Sequence, residues 1–160
     1  MDPILEILEK DARTTPEEIA KMIKKDIVEV KKAVRQYEKD RVILHYKTVL
    51  NKELLRSQSE VRALIEVKVT PQRDVGFDSL AKRIYNFPEV KSCYLMSGGY
   101  DLLVTVEGKD LQTVASFVSE KLSTLENVRG TVTHFLLKKY KEDGDVLQSQ
   151  EKDKRIAISF

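Results

Sequence analysis

The chain has a single cysteine, Cys93, among its 160 residues. That excludes an intramolecular disulfide and a cysteine metal cluster, and it fits a reducing compartment. Histidine is almost as scarce: His45 and His134 stand alone in different parts of the chain, with no adjacent nucleophile and no ligand spacing. No catalytic residue, metal site or cofactor is expected from them. A phosphate-cradling glycine loop is also missing, as is any histidine, cysteine and carboxylate grouping that would argue for hydrolysis. No apolar run approaches the roughly 20 residues that span a bilayer. The start, MDPILEILEK, lacks the basic segment and small-residue cleavage site of a signal peptide. The protein is therefore expected in the cytoplasm, with no membrane partner.

What is present is a folded-protein composition, 41% hydrophobic and 34% charged, without low-complexity tracts. Net charge is only +2, but its distribution is uneven. Residues 21–47 carry nine Lys or Arg against four Asp or Glu, whereas residues 60–160 carry fifteen of each. The N-terminal quarter thus holds the positive patch, the place to look for a polyanionic partner.

Ile4, Leu5, Ile7 and Leu8 recur at helical spacing after Pro3, and the polar stretch Lys10–Thr14 closes that short helix. Thr15-Pro16-Glu17-Glu18 is a strong second start: Thr15 can cap free amides, Pro16 suits the first helical position, and Glu18 can complete a capping box. Asp26-Ile27-Val28-Glu29 repeats the capping-box pattern only a few residues after the second helix ends. Two helices joined this tightly suggest a helix-turn-helix.

At 100° per residue, Ile27, Val30, Ala33, Val34 and Tyr37 of the third helix fall within about 60° of one direction. Val28, Lys32, Arg35 and Lys39 fall within about 40° of the opposite one, with Lys31 on the flank. One side packs and the other is basic. In a major groove, Val28 would meet base edges or thymine methyls, and Lys31, Lys32, Arg35 and Lys39 would reach bases or phosphates. The alternative is an ordinary solvated helix face.

The stretch EEIAKMI…VKKAVRQYEKDRVILHYKTVLN resembles the DNA reader and linker strand of the Lrp/AsnC family. It departs from the family pattern where Lys24 replaces a small turn residue, Val28 and Glu29 replace hydroxyl residues, and Arg41 and His45 replace glycines. Glu29 reads better as part of the capping box than as a DNA contact. Val42–Leu50, rich in β-branched residues with Tyr and Leu, reads as the linker strand. The resemblance implies that such strands pair between two subunits.

After the polar joint Asn51–Glu60, alternation over Val61–Val69 marks a half-buried strand ended by Pro71. Phe77, Leu80, Ala81 and Ile84 mark a helix. Val90–Met96 and Leu102–Val106 flank Ser97-Gly98-Gly99-Tyr100, a hairpin signal. Leu111, Val114, Ala115, Val118 and Leu122 mark a second helix, and Val128–Tyr140 a last strand. The order is βαββαβ, an internal repeat in which FPEVKS and LENVRG carry each half from helix to strand.

The expected fold is α+β. A three-helix, winged helix-turn-helix domain occupies residues 1–44, and a linker strand and joint residues 45–60. A ferredoxin-like βαββαβ sandwich occupies residues 61–144, and a charged extension residues 145–160. Both helices of the sandwich would lie on one sheet face, leaving the other for a second subunit. Residues 141–155 are expected to be mobile, and Arg155–Phe160 could add a strand to a partner.

FPEVKSCYLMSGGYDLLVTVEG and TVTHFLLKKY resemble the regulator-of-amino-acid-metabolism domain of the same family. The resemblance implies an effector pocket between dimers, lined by Gly98, Gly99, Tyr100 and Asp101, with Thr131 and Thr133 as further candidates. Glycine amides could receive a carboxylate and Asp101 an ammonium, so an amino acid or related metabolite is the implied effector. The simpler reading makes the glycines a tight turn and Asp101 a local hydrogen-bond acceptor. The implied partners are double-stranded DNA with a near-palindromic site and a homodimer assembling into a higher oligomer. The alternatives are a metabolite-binding oligomer with a degenerate reader and, more remotely, a sirohaem decarboxylase of the same layout.

Overall fold

The computed structural model describes residues 1–51, 55, 60–70 and 76–147. Most of the polar joint, Pro71 and the tail from residue 148, including Arg155–Phe160, lie outside the described residues. The chain forms two compact units, Met1–Leu50 and Asn51–Phe160, in a mixed α+β fold.

The first unit contains α1 (Pro3–Lys10), α2 (Pro16–Ile23) and α3 (Ile27–Lys39). Each starts on a side-chain cap: Asp2 accepts from the Ile4 amide, Thr15 from that of Glu18, and Asp26 from that of Val28. Thr15 and Glu18 close the reciprocal box. Asp26 caps alone, because its carboxylate takes the second helical amide rather than the third, and Glu29 does not return the bond. The apolar stripes meet in a core of Ile4, Ile19, Ala20 and Val30, flanked by Ile7, Leu8, Ile23, Ile27, Ala33 and Val34.

Two turns in this unit use left-handed backbone without glycine. Lys24, at φ 53°, ends α2 while the Lys25 amide returns to the Ala20 carbonyl at 3.0 Å. Arg41, at φ 59°, ends α3 with paired closing bonds, Val42 N–H to the Tyr37 carbonyl at 2.9 Å and Arg41 N–H to the Glu38 carbonyl at 3.2 Å. This is the Schellman pattern, in which glycine ordinarily avoids a Cβ clash.

Val42–Leu50, expected as a strand, pairs with nothing here. Propensity makes a segment fit for a ladder, but the ladder needs a neighbour, and the described chain supplies none. Val42, Leu44, Tyr46, Val49 and Leu50 remain exposed.

The second unit is built on a four-stranded antiparallel sheet in the order β2-β3-β1-β4. Its strands are β1 (Val61–Val69), β2 (Val90–Leu95), β3 (Leu102–Gly108) and β4 (Val128–Phe135). Helix α4 (Asp78–Tyr85) joins β1 to β2, and α5 (Leu111–Ser116), continued by a π-helical turn over Phe117–Leu122, joins β3 to β4. Alternation sends Ala63, Ile65, Val67, Val69, Leu102, Val104 and Val106 to the helix side. There they pack with Leu80, Ile84, Val114, Phe117 and Leu122. Strand registry places Leu64, Glu66, Leu103, Thr105, Val132 and His134 on the side opposite α4 and α5.

The last strand stops at Phe135 rather than Tyr140, because β1 runs out of partners one residue after Leu136 donates to the Arg62 carbonyl at 2.8 Å. The second helix, expected as one α-helix to Leu122, changes to π-helical at Phe117. Residues 141–147, expected to be part of a mobile extension, instead contain a hairpin of β5 (Lys141–Glu142) and β6 (Asp145–Val146), followed by buried Leu147. Among the described residues no helix is long and apolar enough to cross a membrane.

Candidate nucleic-acid interface and effector site

The caps and the three-residue turn between α2 and α3 fix one side of α3 outward. Val28 is 70% exposed, and Lys32, Arg35 and Lys39 follow it at intervals of four, three and four residues, all exposed. Such spacing makes a continuous row on one helix side. No ion pair to Lys32, Arg35 or Lys39 occurs among the described residues, so these cations are uncommitted. Lys31 differs: its ammonium lies 2.6 Å from Glu17 of α2. That hydrogen bond, aided by the backbone amide, holds the Glu17 carboxyl below its ordinary range. Lys31 is therefore engaged in joining two helices, a contact between elements that spacing within one helix does not reveal.

At the other candidate site, Gly98 and Gly99 are exposed in the β2–β3 turn, and Gly98 has φ 146°. Asp101 is half-buried and locally employed. Its amide donates to the Val67 carbonyl at 3.0 Å, its carbonyl accepts from Met96 at 2.8 Å, and its Oδ2 accepts from the Val69 amide at 2.7 Å. One carboxylate oxygen thus anchors the turn to β1, across 32 residues of sequence rather than through a local bond. Thr131 and Thr133 lie opposite Val67 and Ile65 and so face the helix side; Thr131 Oγ1 is 3.4 Å from Ser123 Oγ. Asp101 and Thr131 flank Val67 from its two sides, about two strand spacings or roughly 10 Å apart.

Two clefts lie elsewhere. One, of about 490 Å³, is bounded by Glu89, Lys109, Asp110, Phe117 and Lys121. The other, of about 470 Å³, lies between Arg62, Leu64, Thr105, Tyr140 and Glu142. Neither is lined by Gly98–Asp101, Thr131 or Thr133. Among the described residues no group of three or more His, Cys, Asp or Glu side chains could hold a metal ion.

The second cleft exposes a network that sequence reading missed. The Arg62 guanidinium bridges Glu107 of β3 and Glu142 of the C-terminal hairpin, and Lys139 reaches the same Glu142. Alternation placed Arg62 on the outward side of its strand but could not name partners 45 and 80 residues away. A local signal did exist for the hairpin: Asp143-Gly144, both at positive φ, is a two-residue turn pair.

Residues 62–146 match the sequence model of the Lrp/AsnC ligand binding domain. The chain is 50% identical over 156 residues to YugG, an uncharacterised HTH-type transcriptional regulator of Bacillus subtilis, covering 98% of this chain and 94% of that one. It is 30% identical over 135 residues to the HTH-type transcriptional regulator LysM of Saccharolobus solfataricus, covering 84% and 89%. Among solved structures, a transcriptional regulator of Neisseria meningitidis in complex with L-methionine has the same fold. Its TM-score is 0.70 at 24% identity, over 88% of this chain and 89% of that one.

Proposed function

This chain belongs to the Lrp/AsnC family of transcriptional regulators and is not an enzyme; we propose that it binds DNA by sequence and that an amino acid or related metabolite modulates that binding or its assembly. The observation that carries the DNA reading is the exposed row Val28, Lys32, Arg35 and Lys39 on α3, held outward by the caps of α2 and α3.

In this reading α2 and α3 are a helix-turn-helix, within a reader spanning residues 1–44. Lys32, Arg35 and Lys39 contact bases or phosphates, Val28 contacts base edges, and Lys31 contributes from the flank only by sharing its charge with Glu17. Residues 61–144 form the sensing and assembly domain. The β2-β3-β1-β4 order with both helices on one side supports its description as a ferredoxin-like sandwich. The sheet side turned away from α4 and α5 and the unpaired Val42–Leu50 segment support a homodimer, assembling further into a higher oligomer in the cytoplasm. Two-fold symmetry then gives a near-palindromic DNA site.

The effector contacts are Gly98, Gly99, Tyr100 and Asp101 with Thr131 and Thr133. These residues line neither of the two clefts described above, and in this reading another copy completes the pocket. The L-methionine bound by the Neisseria relative supports an amino acid as the ligand class. With Oδ2 held by Val69, the remaining Asp101 oxygen is the one offered to the ligand ammonium.

Selection from a random duplex pool at low and physiological salt tests the reading, with the Lys32→Ala/Arg35→Ala variant alongside. The expected result is a near-palindromic site whose enrichment the variant loses, and a log-affinity against log-salt slope reduced by about 2. Calorimetry with a panel of amino acids should show binding that Asp101→Ala removes. Absence of any enriched site would favour a metabolite-binding oligomer with a degenerate reader, for which Val28 and Glu29 in place of hydroxyl residues argue.

A further inference from the structure

The C-terminal hairpin is fastened at both ends. At its start, Glu142 accepts from Arg62 Nη1 at 2.5 Å and from Lys139 Nζ at 2.6 Å, while Arg62 Nε holds Glu107 at 2.7 Å. The four side chains are between 12% and 28% exposed. Partial burial and charge on both partners make such bonds stronger than pairs on an open surface. Arg62 also holds the backbone that leads from β4 toward the hairpin, the strap, since its carbonyl receives the Leu136 amide.

At the hairpin's far end Leu147 is buried, and its amide donates to the Tyr140 carbonyl at 3.0 Å. Its own carbonyl accepts from Asn51 Nδ2 at 2.9 Å, across 96 residues of sequence. Asn51 is the first residue of the second unit, through which the chain arrives from the reader. The root of the linker is thereby tied, through Leu147, the hairpin and Glu142, to Arg62 and the sheet.

We propose that Asn51 and Glu142 are positioning residues for DNA recognition: the hairpin clasps the root of the linker and thereby sets which half-site spacing the paired readers accept. The proposal rests on the paired-reader reading above. Two readers on slack tethers occupy half-sites over a broad range of separations. Tethers with fixed roots keep their high effective concentration only where the spacing matches. Neither residue touches DNA or effector in this scheme.

Asn51→Asp keeps the shape of the side chain but replaces the amide donor with a carboxylate facing the Leu147 carbonyl. Glu142→Gln removes the charge at the other end. Both are made in the full chain, and hydrogen exchange is followed without DNA. The amide of Leu147, bonded to the Tyr140 carbonyl, should exchange faster in each variant, with those of β1 and β3 unchanged. Binding is then measured on the selected duplex, on a single half-site, and on a duplex with about 5 bp, half a helical turn, inserted between half-sites. Wild type should lose about 100-fold on the insertion, and the variants about tenfold or less. Single half-site affinity should be the same in all three.

Unchanged exchange in both variants, or a wild-type insertion penalty in both, overturns the clasp. A wild type that binds all spacings equally overturns the paired-reader reading and the spacing role together, and the exchange data then decide separately whether the strap holds the linker root.

Discussion

Met1–Leu50 encloses four buried side chains in its core, Ile4, Ile19, Ala20 and Val30, whereas the sheet unit encloses a cluster of thirteen. The smaller unit compensates at its helix ends: every one of its helices begins on a side-chain cap, each contributing about 1 kcal/mol. In the larger unit α5 is capped by Asp110, but α4 begins without a side-chain cap bond and is held instead by Leu80 and Ile84 in the core. Where little apolar surface can be buried, local hydrogen bonding at helix ends carries a larger share of the stability.

The strongest way to break this comparison is to empty each core. Ile19→Ala should cost about 2–5 kcal/mol, as should Ile84→Ala, but with different outcomes. The first should abolish the low-temperature calorimetric transition of the reader and leave the sheet unit folded; the second should only lower the midpoint of the upper transition. A single shared transition in wild type and both variants would show that the units do not fold separately. Next come the caps. Thr15→Ala and Asp26→Ala should each destabilise the reader by about 1 kcal/mol, measured by denaturant titration, with the sheet unit unaffected.

A gain of about 0.5–1 kcal/mol is expected from Lys24→Gly and from Arg41→Gly, because glycine removes the Cβ strain of left-handed backbone by more than it adds unfolded entropy. No change in the reader's denaturation midpoint would mean the turns are unstrained.

The smallest effect belongs to the sheet unit. The Lys139 ammonium, then Arg62, holds the Glu142 carboxyl below its ordinary value of 4.5. A depressed carboxylate contributes stability that is fully present above the unfolded value and is lost as pH falls through the lower folded one. Exchange protection of Leu147 should therefore be constant above about pH 5 and decline under stronger acid. In Glu142→Gln that acid-dependent decline should be flattened.

Much of this architecture was legible in the sequence because it is local. Caps, helical stripes, the alternation of Val61–Val69 and the glycine turn before Asp101 are patterns within a few residues, and the structure contains each. Three contacts escaped local reading for one reason, a partner far away in sequence. The Asp101 carboxylate meets Val69, Lys31 meets Glu17, and Arg62 meets Glu107 and Glu142, none of which a local window reports. Val42–Leu50 has strand composition without a strand beside it. Glu29 had the right spacing for a capping box, but the cap chose the nearer amide. At the candidate effector site the turn itself was readable, whereas the engagement of one Asp101 oxygen was not.

The cations of α3 sit in a unit that is nearly neutral as a whole. Residues 1–20 hold six acidic side chains against two basic, the reverse of the excess over residues 21–47. The unit's charge is thus segregated along its sequence rather than summed into a net cation. At a distance a nearly neutral body feels little net pull from a polyanion, but within a Debye length, about 8 Å at physiological salt, the field acts on the exposed α3 cations individually and turns them toward it. In the proposed function, an approach that presents α3 first is then favoured over one that presents residues 1–20 first.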